Sequence, residues 1–160
     1  LKLGHCIYAL PASAVWARSD PRSNSIGNLL IHLSGNVTEW IIGGVGGKKI
    51  ERNRDQEFAQ QEGGSGADLL ARLEGVLREA DAILAKLTEA DLRQRLSIQG
   101  RETTVLGAIY HVVEHFAMHT GQIILLTKSY SPGAIRFYED AGGMARPVWH
   151  KGTGLDEAAH

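Results

Sequence analysis

The segment HVVEHFAMHTGQ, residues 111–122, carries side chains of the types that bind metal ions. Three histidines recur in it at intervals of four residues and a glutamine follows three residues later: His111, His115, His119 and Gln122. Because each residue of an α-helix advances by about 100°, these side chains would share one face, within an arc of about 80°. Imidazole is the commonest metal ligand in proteins, so this face predicts a metal site.

The rise of the helix limits how many of these histidines can hold one ion. Histidines four positions apart are separated by about 6 Å along the axis, and His111 and His119 by about 12 Å. Metal–nitrogen bonds of about 2.0–2.1 Å allow two adjacent histidines to chelate one ion, as in HExxH helices, but not all three. The spacing leaves two pairs open, His111 with His115 and His115 with His119, and a further ligand must come from another helix.

A candidate for that further ligand lies in a second predicted helix. His32 stands in the middle of an otherwise apolar segment, with Asn28 and Asn36 one turn to either side. A lone histidine there is more often a hydrogen-bonded core residue, but helical bundles do build metal sites from facing helices. An imidazole that binds metal through one nitrogen also needs an acceptor for the other. Four side chains are positioned for that role: Asn28, Asn36, Glu114 and Gln122.

Three neutral histidines around a divalent ion would leave it with its full charge and an open position, as in catalytic zinc sites. Glu114 adjoins His115 but projects about 100° away from it, so we expect it to support the site rather than act as a general base. No catalytic residue is assigned. The histidine face also suits two structural interpretations, a polar seam at a dimer interface or a wet groove between helices.

Four amphipathic segments must position these side chains. Apolar residues at three- and four-residue intervals predict helices over residues 1–10, 26–42, 67–87 and 103–128. Pro11 should end the first helix, and Ser25 is a good N-cap for the second. The pattern predicts an all-α fold, a four-helix bundle with a long loop between helices two and three.

The predicted domain is a single bundle over residues 1–142, followed by a loosely packed tail over residues 143–160. A short helix is expected over residues 135–139. Residues 96–100 are expected to be briefly extended, without strand pairing.

The long loop, residues 43–67, carries a mixed-charge stretch. Loops of this length in a compact domain are usually mobile or functional. Arg52 and Arg54 are candidate contacts for an anionic substrate, and the alternative is a solvated surface or an intersubunit contact.

Composition excludes several partners. A net charge of −1 with 22% charged residues lacks the basic footprint that nucleic acids require. No apolar run approaches the roughly 20 residues that span a bilayer. The single cysteine, Cys6, excludes an intrachain disulfide and fits a reducing compartment. We therefore expect a cytoplasmic protein that binds neither nucleic acid nor membrane.

The pairing of SIGNLLIHLSGNVTEW (25–40) with HVVEHFAMHTGQI (111–123) resembles the DinB-like family, which is predominantly bacterial. The resemblance spans roughly residues 1–140. It implies a four-helix bundle, usually a homodimer, and matches His32, His115 and His119 to three metal ligands. His111 then lies one turn outside the ion, as a packing or supporting residue. Thr120 stands where the family usually has a basic residue, but it points away from the expected ion.

The fuller match, which includes RNRDQEF (52–58), resembles a branch of that family whose activity is not established and in which Arg52, Arg54 and Glu57 recur. Similarity to characterised relatives implies a metal that activates a low-molecular-weight thiol for transfer or isomerisation; hydrolysis by metal-bound water is the second enzymatic interpretation. Zinc and nickel are the first candidate ions, and iron or copper would also accept imidazole ligands. The non-enzymatic alternative is a metal-stabilised dimeric binding or structural protein.

Overall fold

The computed structural model describes residues 2–149, and this part of the chain is mostly helical. The prediction of a mostly helical fold is confirmed, and two antiparallel hairpins accompany the helices. The expectation that residues 96–100 have no strand pairing is wrong, since Leu96 pairs with Thr103 and Ile98 with Arg101. The helices are α1 (Lys2–Tyr8), α2 (Ile26–Val37), α3 (Arg54–Ala59), α4 (Gly66–Leu84), α5 (Glu89–Leu92) and α6 (Val105–Tyr130). The strands are β1 (Arg95–Ile98), β2 (Arg101–Thr104), β3 (Tyr138–Ala141) and β4 (Met144–Pro147).

Helix α2 is the central element and carries His32. The Ser25 hydroxyl accepts a hydrogen bond from the backbone N–H of Asn28, and the Asn28 side chain accepts one from the backbone N–H of Ser25. Almost every residue of α2 is buried. At its C-terminal end α2 continues into a π-helical segment, Thr38–Val45, so the helix predicted over 26–42 is observed as two consecutive segments. Wide turns of this kind are frequent near functional sites.

Helices α4 and α6 flank α2. Side-chain caps from Ser65 and Thr104 begin them, as serine and threonine commonly do. Helix α2 packs against both, and α1, which ends before Pro11, also contacts α4 and α6. The core between these helices consists of buried aliphatic side chains: Leu3, Ile26, Leu30, Leu33, Leu70, Leu73 and Ile123.

The segment predicted as a long loop contains a short helix. Helix α3 begins after Asn53, whose side chain accepts a hydrogen bond from the backbone N–H of Gln56. Six residues are too few to give a hydrophobic period, and isolated helices of this length are not stable in water. Tertiary contacts with α2 therefore stabilise α3, and the sequence pattern alone did not predict it.

Both hairpins form around two-residue turns in which both backbone φ angles are positive. Gln99 and Gly100 have φ of 53° and 71°, and Gly142 and Gly143 have φ of 67° and 85°. Positive φ at both central positions is the signature of the type I′ turn, whose twist matches that of paired strands. The Gly-Gly pair was a readable signal for β3 and β4, whereas glutamine in the left-handed region is uncommon.

The predicted tail, residues 143–160, is described only in part. Met144–Pro147 pairs with Tyr138–Ala141, so the helix expected over 135–139 does not form, whereas residues 150–160 lie outside the described residues. The domain limits stay a prediction. Within the described range, every helix is too short or too polar to cross a bilayer.

Candidate metal centre

Three histidine side chains from two helices meet between α2 and α6. His32, His115 and His119 each offer a ring nitrogen, and these atoms lie within 4.8 Å of one another. The closest pair is Nε2 of His32 and Nε2 of His115, at 2.8 Å. His119 packs edge-on against both rings, with centroids 5.0 Å and 4.5 Å away. His32 and His119 are buried, and His115 is half-buried.

His111 lies outside this cluster. Its ring stacks on the indole of Trp40, with centroids 3.8 Å apart, and on the ring of His115, with centroids 5.5 Å apart. Its Nε2 atom is 3.4 Å from the side-chain nitrogen of Asn36. Of the two chelating pairs that the spacing left open, the structure brings His115 and His119 to His32. One helix can bring only two histidines to the same ion, and here the facing helix provides the third.

The second ring nitrogen of His32 contacts a buried carboxylate. Nδ1 lies 2.9 Å from Oε2 of Glu57 on α3 and 3.1 Å from Nη2 of Arg52; in the tautomer with the proton on Nδ1, the carboxylate accepts that proton. The lone pair of Nε2 then points into the cluster. Burial disfavours the charged form of Glu57, but hydrogen bonds from Arg52 and His32 outweigh it and lower the pKa of this carboxyl.

Arg52 holds Glu57 in place. Its Nε and Nη2 atoms donate to the two carboxylate oxygens of Glu57 at 2.6 Å and 2.8 Å, and its Nη1 atom donates to Glu39 at 2.7 Å. The pair lies directly against α2 at Gly35, where a Cβ would overlap an oxygen of Glu57 and Nε of Arg52. The guanidinium predicted as a substrate contact is therefore occupied by two carboxylates of the protein.

His119 is oriented in the same way by Gln122. The Nδ1 atom of His119 lies 2.6 Å from Oε1 of Gln122, one turn along α6. The amide oxygen accepts the Nδ1 proton and leaves the lone pair of Nε2 free. Gln122 is thus placed where the helical spacing predicted an acceptor.

Electrostatics keep the histidines of α6 neutral. Burial, together with the neighbouring His119 and His32, lowers the pKa of His115 from 6.5 to about 4. Burial and the charges of His32 and Arg54 also lower the pKa of His119, against the opposing hydrogen bond to Gln122. Neutral imidazoles present lone pairs at pH 7, as metal ligation requires.

The donor set fits a divalent transition-metal ion. Two nitrogens on one tetrahedral zinc ion would lie roughly 3.3 Å apart, given metal–nitrogen bonds of about 2.0–2.1 Å. The 2.8 Å separation of the His32 and His115 nitrogens is shorter, so a small rotation of the rings would be needed. Two of the three imidazoles already have the outward nitrogen bound to an acceptor, which is the usual arrangement for ligating histidines.

Asn28, expected to accept from an imidazole, fastens α3 instead. Its side-chain nitrogen donates to the backbone oxygens of Glu57 and Gln60 at 2.8 Å and 2.7 Å. Arg18 donates to Asn28 and to the backbone oxygens of Phe58 and Gln60. Asn28 therefore acts on the cluster indirectly, by positioning the helix that carries Glu57.

The accessible side of the cluster faces solvent along α6. A shallow cavity of about 180 Å³ is lined by His111, Glu114, His115 and Met118. Glu114 is exposed at its rim and, among the described residues, forms no hydrogen bond with the three clustered histidines. A small molecule can approach His115 from this side.

Sequence reasoning missed several residues around the cluster. Glu57 stood in the quoted stretch RNRDQEF, but its partner His32 could not be identified without the position of α3. Glu39 and Trp40, just after α2, contact Arg52 and His111, and the sequence around them has no motif that predicts these contacts. The ring of Phe58 lies 4.6 Å from that of His32, and no spacing in the sequence indicates this contact.

Comparison with known proteins gives a family but no activity. The family described as "Protein of unknown function (DUF1572)" matches residues 3–137. A relative, "Uncharacterized protein YkkA" of Bacillus subtilis (strain 168), is 25% identical over 130 residues, which covers 71% of this chain and 71% of the relative. Neither description names a metal, a substrate or the DinB-like family. The match over most of its length shows that the chain belongs to the DUF1572 family.

Proposed function

We propose that the protein is a metal-dependent enzyme whose ion is held by His32, His115 and His119. The observation that carries this proposal is the meeting of three ring nitrogens within 4.8 Å, two of the rings being held from outside by Glu57 and Gln122. A histidine serving only the core would need hydrogen-bond partners, but not three ring nitrogens gathered at one point.

When bound, a divalent ion with three neutral ligands supplies a Lewis acid that can bind a thiol as thiolate or lower the pKa of water towards about 7. The protein's own groups prepare this site. Glu57 and Gln122 fix the ring orientations of His32 and His119, while Arg52 neutralises the buried carboxylate. The half-buried ring of His115 adjoins the open cavity, where substrate can approach.

Activation of a low-molecular-weight thiol, for transfer or isomerisation, is the reaction that we favour, because the sequence resembles DinB-like proteins of that kind. Hydrolysis by metal-bound water is the second reaction that the same site would support. Zinc and nickel are the first ions to test, since imidazole ligands do not distinguish them from iron or copper.

We also propose that α1, α2, α4 and α6 form a four-helix bundle of the DinB-like type. The pairwise packing of α1 and α2 against both α4 and α6 supports this arrangement. The π-helical extension of α2 and the two hairpins would be additions to such a bundle.

A homodimer, with α6 at its interface, is part of the proposal. Exposed apolar side chains run along one side of this helix, beside small residues such as Ala117 and Gly121 that permit close approach of a second helix: Leu106, Tyr110, Val113, Met118 and Leu125. If the ion serves only to tie α2 to α6 within this dimer, the protein would be a metal-stabilised binding or structural protein.

Elemental analysis of untagged protein, purified without a nickel column, tests the proposed ligands. We expect about one transition-metal ion per chain in the parent and its loss in His115→Ala. His111→Ala is the matched control, since it removes a histidine of the same helix that lies outside the cluster, and it should retain the metal. A parent protein that contains no metal and does not bind added zinc or nickel would refute the proposal.

A further inference from the structure

The two arginines of the 52–58 stretch have different surroundings. The guanidinium of Arg52 is buried between Glu57 and Glu39. Arg54 is exposed, and among residues 2–149 no carboxylate oxygen lies within 4.0 Å of it. The only positive charge of this stretch that is available to a ligand is therefore that of Arg54.

Arg54 lies beside the histidine cluster. Its guanidinium carbon is 5.2 Å from the centroid of the Phe58 ring, and the Phe58 ring lies 4.6 Å from that of His32. A guanidinium over an aromatic face is attracted by the ring quadrupole, so Phe58 orients this side chain. The charge of Arg54 is also among those that lower the pKa of His119.

The short helix that carries Arg54 is firmly held. Asn28 and Arg18 bind the backbone oxygens of three residues in and after α3. Glu57, on the same helix, is bound to both His32 and Arg52. A cation on so constrained a segment loses little freedom on binding a ligand, which favours specific recognition over a loose surface contact.

The charge balance of the site also favours an anion. The carboxylates of Glu57 and Glu39 are offset in part by Arg52, and the three histidines carry no charge when they hold an ion. A divalent ion together with Arg54 then leaves an excess of positive charge. A ligand with a thiolate and a second negative group would neutralise it, whereas an uncharged thiol would not.

We infer that Arg54 recognises a carboxylate on the small molecule that binds at the three-histidine site. Arg54 is thus a specificity-determining residue, and the substrate class is a thiol or electrophile that bears a carboxylate. This inference rests on the proposed metal site and deepens it, because it names the chemistry of the ligand.

The test compares two ligands of nearly equal size on cobalt-loaded protein. Thiolate binding to cobalt(II) gives a charge-transfer absorption, which reports the Kd of 3-mercaptopropionate and of the uncharged 3-mercaptopropionamide without any enzymatic assay. The ratio of the two Kd values is measured in the parent, in Arg54→Gln and in Arg101→Gln. Arg101 is the matched control, because it is also exposed but influences the outlying His111.

We expect the parent to bind the carboxylate roughly fivefold more tightly than the amide, as for an ion pair at a partly exposed site. The preference should vanish in Arg54→Gln, persist in Arg101→Gln and shrink as the salt concentration rises. An unchanged ratio in Arg54→Gln, or its loss in Arg101→Gln, would overturn the assignment of Arg54. Failure of cobalt to bind would refute the metal site itself, whereas cobalt binding without a carboxylate preference would refute only this inference.

Discussion

The Nδ1 atom of His32 lies 2.9 Å from Oε2 of Glu57, and both side chains are buried. This contact joins the middle of α2 to a short helix from a loop 25 positions further along the chain. A proton on this nitrogen is accepted by the carboxylate, which leaves the other ring nitrogen, Nε2, available to a metal ion. The loop is therefore a structural part of the histidine site.

We expect Glu57→Gln to weaken metal binding by about 10- to 100-fold, as substitution of an outer hydrogen-bond partner typically does. The amide is a weaker acceptor for His32 and leaves the buried charge of Arg52 paired only with Glu39. Competition with a chromophoric chelator measures the Kd for zinc. Glu114→Gln, a change at the exposed rim, should leave it unaltered. Equal affinities in all three proteins would show that Glu57 does not support the site.

Gly35→Ala should destabilise the protein by about 1–3 kcal/mol, the usual effect of overpacking, because the added methyl group would overlap the Glu57–Arg52 pair. Urea denaturation of the metal-free protein measures the loss. The control is Gly75→Ala in α4, where the added atom meets nothing closer than Arg78 at 3.8 Å. There alanine should stabilise the helix by about 0.5–1 kcal/mol. A Gly35→Ala variant as stable as the parent would contradict the observed packing.

Stability of the metal-free protein should fall between pH 7 and pH 5. Burial and the neighbouring imidazoles lower the pKa of His115 from 6.5 to about 4, and the pKa of His119 is lowered as well. Between these values the unfolded chain binds more protons than the folded one, so the free energy of unfolding decreases as the pH drops through this window. Urea midpoints in the presence of a chelator measure the effect.

The same titration in His115→Gln provides the control for the pH prediction. Glutamine does not titrate, so the decrease between pH 7 and pH 5 should be smaller in this variant. A parent whose urea midpoint is the same at both pH values would show that these histidines are not held neutral by the fold.

Val113→Lys should convert the proposed dimer into a monomer. Val113 is 61% exposed on the apolar side of α6, and a charge at the centre of a helix–helix interface opposes its burial. Light scattering should give twice the chain mass of 17.4 kDa for the parent and a single chain mass for the variant. Met144→Lys, at an exposed apolar residue of β4, should remain dimeric. A monomeric parent would refute the dimer.

Periodicity predicted the long helices well because each buries a continuous apolar stripe. The cap Ser25 could be read from the sequence for the same reason, since it precedes such a stripe. The last helix was predicted from residue 103, two residues before its observed start, and its cap Thr104 was not predicted. The hairpin around Gln99 and the helix α3 could not, because short elements depend on tertiary contacts and, at Gln99, on an unusual left-handed backbone.

The candidate site was predictable to a similar extent. Helical spacing placed His115 and His119 on one face. His32 could be identified as a candidate ligand because it is a polar residue in an apolar segment. Of the hydrogen-bond partners of these rings, only one could be predicted from the sequence. Gln122 lies on the same helix as His119 and followed from spacing, whereas Glu57 lies on α3, whose position no sequence period specifies.

The double role of Asn28 has a consequence for local unfolding. Its side chain belongs both to the first turn of α2 and to the attachment of α3. If the first turn of α2 frays, the backbone of Glu57 and Gln60 loses its anchor at the same time. The backbone amides of these two regions should therefore exchange with deuterium in a single opening event, so that the start of a core helix and the segment beside the histidines behave as one cooperative unit.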